Sequence, residues 1–236
     1  SKTSEEIVNE QTYTFTDRGD REVTLRPEMT PTLARMIAAR SREIPLPARW
    51  YTIANVFRYE RPQRGRVREH WQLNADLIGV SGVEADAEII AIAHGILRSL
   101  GADEHNFEIR VSDRRILDAV YSSADIPGEM HTDLTRLLDR RLKLTDFEAQ
   151  VSALIGDKKK TRTLLEELEH ITSTAYLEEL RTQLEYMGVR NMVVDTGVTR
   201  GFDYYTGMVF EVFDNDPSNR RSLFGGGRYD NLLSLF

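Results

Sequence analysis

Four short stretches hold residues whose types and spacing are suited to chemistry. The richest is "FRYERPQRGRVREHWQLNADLIG", where Arg58, Arg61, Arg64, Arg66 and Arg68 crowd around Gly65. Guanidinium forks hold phosphate oxygens in pairs, so a phosphate-rich ligand is the first expectation. "LRPEMTP" puts Glu28 and Thr30 at a junction between a strand and a helix, where a carboxylate can hold an ammonium group. "TRGFDYYTGMVFEVF" gathers Arg200, Asp203, Tyr204 and Tyr205 within six residues, with glycines at Gly201 and Gly207. "FGGGRYD" leads three glycines into Arg228, the mark of a strand that something approaches closely. No helix start follows those glycines in register, so they are not a dinucleotide-type phosphate loop.

Other chemistries lack the parts they need. His70, His94, His105, His131 and His170 show no metal-ligand spacing, and there is no cysteine to help. The lack of cysteine removes a disulfide framework and fits the cytosol. There is no Gly-x-Ser-x-Gly and no defensible Ser/His/Asp arrangement. The 236 residues carry a formal charge of −7, which argues against a general nucleic-acid coat while allowing a local basic site. No apolar run reaches the length of a membrane span.

The elements that would position these residues follow from pattern. "QTYTFTDRGDREVTL" reads as two strands about a turn, with Tyr13 and Phe15 before it and Val23 and Leu25 after. A helix follows, with Thr30 as N-cap, Pro31 at its first position, and Leu33, Met36 and Ile37 on one face. "ARWYTIANVFRYE" and "REHWQLNADLIGV" are strands joined by the arginine loop, an antiparallel hairpin. Period-two alternation sets Arg58 beside Glu60, and Gln72 beside Asn74 and Asp76. That face is polar, unlike a buried sheet face. "GVEADAEIIAIAHGILRSLG" is a helix ended by Gly101, with Ala87, Ile90, Ala91, His94 and Leu97 at helical spacing. From Arg114 to about Met187 the chain is helical, amphipathic and highly charged; Lys158–Lys160 reads there as a solvated helix start. Strand signals return in "NMVVDTG", "MVFEVFD" and "SLFGGGRYD". The pattern predicts an α+β fold: an antiparallel β-sheet flanked by helices, residues 1–113 and 188–236, interrupted by a helical insertion at 114–187.

Taken together and in order, the four stretches resemble the catalytic domain of histidyl-tRNA synthetases, a class II aminoacyl-tRNA synthetase family. "RGFDYY" is similar to a signature of the histidine enzymes, and "FRYE" to the motif 2 that class II synthetases share. The resemblance covers nearly the whole chain and is weakest in the helical segment. It implies ATP-dependent activation of histidine to histidyl-adenylate, then transfer to tRNA(His). It implies Arg58 and Arg200 on the α-phosphate, and Glu60 and Arg66 as further ATP contacts. Glu28, the Met29 backbone, Thr30 and Gln72 would meet the histidine amino group; Asp76, Tyr205 and the adjacent Tyr204 would meet the imidazole. Mg2+ would arrive with ATP rather than sit in a protein cage. A cytoplasmic location, a homodimer in the full-length protein and an insertion that touches the tRNA acceptor arm are implied with these.

The family's motif 1 would precede Ser1, and its motif 3 and anticodon-binding domain would follow Phe236. The resemblance therefore implies a catalytic-domain fragment that alone forms adenylate poorly or not at all. Two other readings stand beside it. A non-catalytic relative, such as the regulatory subunit of ATP phosphoribosyltransferase, would bind histidine as a sensor. A nucleic-acid module would use the arginine loop in a salt-sensitive way, but would leave "RPEMT" and "GFDYY" unexplained.

Overall fold

Alternation and turn chemistry set the first hairpin. β1 (Tyr13–Thr16) pairs antiparallel with β2 (Glu22–Leu25), matching Tyr13 to Leu25 and Phe15 to Val23. The turn is held by the Asp17 carboxylate, which accepts from the N–H groups of Gly19 and Arg21 at 2.8 and 3.1 Å. Asp20 takes the left-handed φ of 57° that such a turn needs and that Asp tolerates. The computed structural model describes residues 11–62, 66–138, 141, 144–170, 173–198, 205–219 and 221–235. Among these, the chain divides into two compact units. One holds the elements up to Ala85, with Tyr205, Thr206 and the segment from Tyr229; the other holds Asp86 to Val198 and Gly207 to Arg228.

In the first unit, helix α1 (Thr30–Ala39) begins one residue earlier than the pattern predicts. Met29 stands at the cap position with no side-chain cap bond, and Thr30 is the first helical residue and buried. The Met29 side chain is taken up in an apolar cluster with Ala54 and Val56, so packing rather than capping fixes the start. The buried stripe is Thr30, Leu33, Ala34 and Ile37; Met36, expected on it, is 54% exposed.

Strands β3 (Ala48–Phe57) and β4 (Glu69–Ile78) form an antiparallel ribbon running from the pair Ala48–Ile78 to the pair Phe57–Glu69. Its amphipathicity is inverted. Thr52, Gln72, Asn74 and Asp76 share the more buried face with Ala54 and Val56, while Tyr51, Ile53, Trp71 and Leu73 stand exposed on the other. The polar face read from alternation is drawn inward. The regular strand ends at Phe57, so Arg58 and Glu60 are not alternating strand residues as predicted. The Glu60 N–H instead bonds the Arg58 carbonyl at 2.9 Å, a tight turn.

In the second unit, helix α2 (Val83–Ser99) ends at Gly101, whose φ is 92°. Strand β5 (Phe107–Asp113) leads into five helices: α3 (Arg114–Ser123), α4 (Gly128–Leu138), α5 (Phe147–Ile155), α6 (Lys158–His170) and α7 (Ala175–Tyr186). They bury apolar stripes that include Leu134, Val151, Leu164, Leu177, Leu180 and Leu184. Strands β6 (Met192–Val194), β7 (Met208–Asp214) and β8 (Ser222–Gly227) then join β5 in the order β6-β5-β7-β8. β7 pairs antiparallel with both neighbours, but β6 runs parallel to β5. The five intervening helices are a crossover long enough to return the chain in the same direction.

The glycine run of β8 has a specific neighbour. Gly226 lies opposite Phe210, and a Cβ at Gly226 would stand 2.9 Å from the Phe210 ring. Gly226→Ala should therefore lower stability by about 1–3 kcal/mol through overpacking. Gly95→Ala is the control, because a Cβ at that helical position meets nothing within 4 Å. It should raise stability by about 0.5–1 kcal/mol. Denaturant titration of the two variants reads both signs, and equal shifts would contradict the packing at Gly226.

Candidate functional site

The residues of interest in the first unit are brought together by stitching between the strand end and the segment before α1. The Phe57 N–H bonds the Arg26 carbonyl at 3.0 Å, and the Arg26 Nε donates to the Asn55 carbonyl at 2.9 Å. The Arg58 Nε donates to the Pro27 carbonyl at 2.9 Å. Arg58 thus commits one edge of its guanidinium to the backbone next to Glu28. Among the described residues no partner engages its terminal nitrogens, which leaves the fork edge for an anion.

The other arginines of the cluster divide by role. Arg66 pairs with the Glu60 carboxylate at 2.6 Å. Arg68 lies 4.2 Å from the centre of the Tyr59 ring, and its Nε donates to the Glu60 carbonyl at 3.1 Å. Its own carbonyl accepts the Arg58 N–H at 2.9 Å, so Arg68 clamps the two sides of the loop. Tyr59 is in turn packed edge-on against Tyr13. Arg61 is exposed. Arg64 lies outside the described residues.

The inward face of the β3–β4 ribbon is a floor of acceptors. Thr52 Oγ1, Gln72 Oε1 and Asn74 Oδ1 are buried without a hydrogen-bond partner among the described residues. Thr52 and Asn74 face each other across the ribbon, and Gln72 stands opposite Ala54. Asp76 continues the row and accepts from the Tyr229 hydroxyl. Burial pushes the Asp76 carboxyl above its ordinary value of 3.8, with the Tyr229 hydrogen bond pulling the other way. The Tyr229 phenol is held well above its ordinary value of 10.0, chiefly by burial, then by the Asp76 charge, with Tyr205 nearby adding to it. Tyr229 therefore stays a donor to Asp76. Tyr205 itself is buried. A buried acceptor without a donor costs on the order of 1–3 kcal/mol, so this floor suits a ligand that brings N–H groups.

Of the residues expected from sequence, Met29, Thr30, Arg58, Glu60, Arg66, Gln72, Asp76 and Tyr205 lie in this unit, with Glu28 beside the Pro27 carbonyl that Arg58 binds. Arg200 and Tyr204 lie outside the described residues. Tyr229 was missed, as were Thr52 and Asn74. Tyr229 was legible only as the residue after the glycine run and Arg228. Asn74 sat in plain view between Gln72 and Asp76, on the same alternation. Among the described residues no trio of His, Cys, Asp or Glu side chains gathers as a metal site.

Comparison with known proteins bears on the whole chain. The sequence model of one family, described as histidyl-tRNA synthetase, matches residues 1–236. A histidine–tRNA ligase from Leptospira biflexa serovar Patoc is 41% identical over 254 residues, covering 100% of this chain and 58% of that protein. A histidine–tRNA ligase from Natronomonas pharaonis is likewise 41% identical, with the same coverage. The chain thus spans under two thirds of the length of the curated relatives it matches. Among solved structures, one from Bacillus halodurans, titled an ATP phosphoribosyltransferase regulatory subunit/histidyl-tRNA synthetase, superposes with a TM-score of 0.78 at 26% identity. The match covers 96% of this chain and 63% of that one. Histidyl-tRNA synthetase from Nostoc sp. PCC 7120 shares the fold, with a TM-score of 0.73 at 23% identity over 94% of this chain and 57% of that one.

The raised Asp76 carboxyl has a sign that can be measured. Between 3.8 and its raised value the native state holds a proton that the unfolded state has lost. Stability therefore falls as pH rises through that window and stays lower above it. Asp76→Asn removes this slope while keeping an acceptor for Tyr229. The Tm difference should move in the variant's favour from pH 4 to pH 7, measured by differential scanning fluorimetry. A difference independent of pH would contradict the burial-driven shift.

Proposed function

Because the chain belongs to the histidyl-tRNA synthetase family, we propose that it is the catalytic portion of an enzyme that activates histidine with ATP and charges tRNA(His). The observation that supports this most directly is the acceptor floor of Thr52, Gln72, Asn74 and Asp76 beside the open fork of Arg58. Histidine offers donors at both ends: an ammonium group and a ring N–H. Asp76 takes one ring N–H, with Tyr205 and Tyr204 on the other side of the ring. Gln72, Glu28, Thr30 and the Met29 backbone take the ammonium group. A side chain lacking those donors leaves the buried acceptors unpaired, which is how such a site discriminates strongly.

In this reading the reaction is governed by charge. A carboxylate oxygen of histidine attacks the α-phosphorus of ATP, and pyrophosphate leaves with its electron pair. Two anions must meet, so Arg58, with Arg200 as the second cation that the family resemblance implies, offsets the charge that builds on the α-phosphate. Mg2+ arrives with ATP and neutralises its outer phosphates. Glu60 and Arg66 exchange their mutual ion pair for contacts to adenine and phosphate. In the second step a ribose hydroxyl at the 3′ end of tRNA(His) attacks the histidyl carbonyl and AMP leaves.

The same reading makes 114–187 an insertion into the catalytic core, facing the tRNA acceptor arm. It places the full-length enzyme in the cytoplasm as a homodimer. No helix among the described residues is long and apolar enough to cross a membrane.

A histidine sensor is the competing reading, and the double title of the Bacillus halodurans structure gives it substance. The Leptospira and Natronomonas ligases, at 41% identity against 26%, favour the enzyme. Histidine-dependent ATP–pyrophosphate exchange by the full-length protein separates the two. Arg58→Ala should reduce kcat at least about 100-fold, the scale of one lost charge-stabilising group. Arg200→Ala should act similarly. A protein that binds histidine but never exchanges pyrophosphate is the sensor, and an Arg200→Ala enzyme with unchanged adenylation would remove that residue from the mechanism.

A further inference from the structure

The first unit holds a bracing network, around Tyr59, that the proposed reaction does not use. Tyr59 is 53% exposed, so burial alone does not keep its ring in place. Two neighbours do. Tyr13 of β1 packs against it edge-on, with ring centres 5.6 Å apart and planes at 80°. The Arg68 guanidinium, on the segment entering β4, lies 4.2 Å from its centre. The Tyr59 N–H also bonds the Gln11 carbonyl at 2.8 Å, which ties the turn to the chain just ahead of β1. Three segments of one compact unit therefore meet on this residue.

Arg68 passes the constraint to the residues on either side of Tyr59. Its Nε donates to the Glu60 carbonyl at 3.1 Å, and its own carbonyl accepts the Arg58 N–H at 2.9 Å. The Arg58 carbonyl in turn accepts the Glu60 N–H at 2.9 Å, and the Arg58 Nε donates to the Pro27 carbonyl at 2.9 Å. Arg58 is thus held at its N–H, at its carbonyl and along one edge of its side chain. The Glu60 side chain is only 10% exposed, and its carboxylate meets Arg66 at 2.6 Å. The arrangement needs arginine at position 68. A lysine would keep the charge but has no donor at the Nε position and no planar face to lay on the ring.

We propose that Arg68, stacked on Tyr59, is a positioning residue for the ATP side of the site, setting the turn from Arg58 to Glu60 before the nucleotide arrives. This rests on the reading of Arg58 and Glu60 as ATP contacts. A charge-stabilising group speeds a reaction when it already stands where charge will build. A misplacement of about 1 Å can cost on the order of 100-fold in rate. The brace acts on the Arg58 main chain and on the Glu60 carbonyl, so it limits where the open edge of Arg58 can point. Arg68 does this without touching the nucleotide.

The test is histidine-dependent ATP–pyrophosphate exchange by the full-length enzyme, run without tRNA so that no lost tRNA contact enters the result. Arg68→Lys and Tyr59→Leu should each lower kcat about tenfold, the scale of one hydrogen bond and one stacked cation together, and leave the KM for histidine within about twofold. Tyr59→Phe keeps the ring and should stay within about twofold of wild type. The Arg68→Lys/Tyr59→Leu pair should fall little further than either change alone, because both break one device, and Arg68→Lys should cost under about twofold in the Arg58→Ala background. A direct phosphate contact by Arg68 predicts that the lysine keeps most of the activity and that Tyr59→Leu changes little. A purely structural role predicts a lower Tm with kcat unchanged. Either result, or additive effects in the pair, overturns the proposal. If Tyr59→Leu does not fold, Arg68→Lys with and without Arg58→Ala decides, with Tyr59→Phe as the control. If the wild-type enzyme shows no exchange, the functional reading fails by itself. Equilibrium dialysis with radiolabelled ATP then reads the same variants as dissociation constants, with the same fold-changes expected, and a wild type that binds no ATP overturns the positioning role as well.

Discussion

A row of hydrogen-bond acceptors turned inward governs the first unit. The β3–β4 ribbon buries Thr52, Gln72, Asn74 and Asp76 while leaving Tyr51, Ile53, Trp71 and Leu73 exposed. Ordinary folding runs the other way, because apolar area gains from burial and polar atoms lose unless bonded. Several nearby details follow from that inversion. Tyr229 supplies a donor to Asp76, and Met29 covers Ala54 and Val56 beside the row. Three acceptors still wait for donors. A site built this way is less stable than it need be, and the deficit is what a donor-bearing ligand recovers.

Charge is handled by division of labour. The five arginines between residues 58 and 68 looked like one basic patch in the sequence. Arg58 spends one edge on the Pro27 carbonyl and keeps the other without a partner among the described residues; Arg68 is consumed as a clamp on Tyr59 and Glu60; Arg66 is held by Glu60. Guanidinium suits all three tasks because its donors point in fixed directions, where a lysine would offer a single mobile point charge. In the second unit the same chemistry makes a buried two-point fork from Arg228 to Asp86.

Glycine placement follows from these demands. Gly226 exists for the Phe210 ring opposite it, and Gly207 for the stem of Arg228. Neither is a phosphate loop. At Gly226 the ring stands too close for a Cβ, and at Gly207 the arginine stem would have to give slightly, so "FGGGRYD" and the end of "DYYTG" are read through their neighbours rather than through their own flexibility.

Local pattern alone carried the element list: the Asp17–Arg21 turn, the hairpin around the arginine loop, the helix ended by Gly101 and the helical run from Arg114. Alternation also set Gln72, Asn74 and Asp76 on one face, a local property, whereas a role for Arg58, Gln72 or Asp76 came only with the family resemblance. Local pattern misplaced what packing decides. Thr30 lost its capping role to a helix start set by the Met29 cluster, and Arg58 and Glu60 left the strand for a turn. The direction in which the polar face turned was invisible, since period two defines two faces and does not say which one is covered. Only the tertiary structure could bring Tyr229 to Asp76 across 153 residues, or Arg228 to Asp86 across 142. Such contacts depend on how distant segments are folded back on one another, and no spacing along the chain records that.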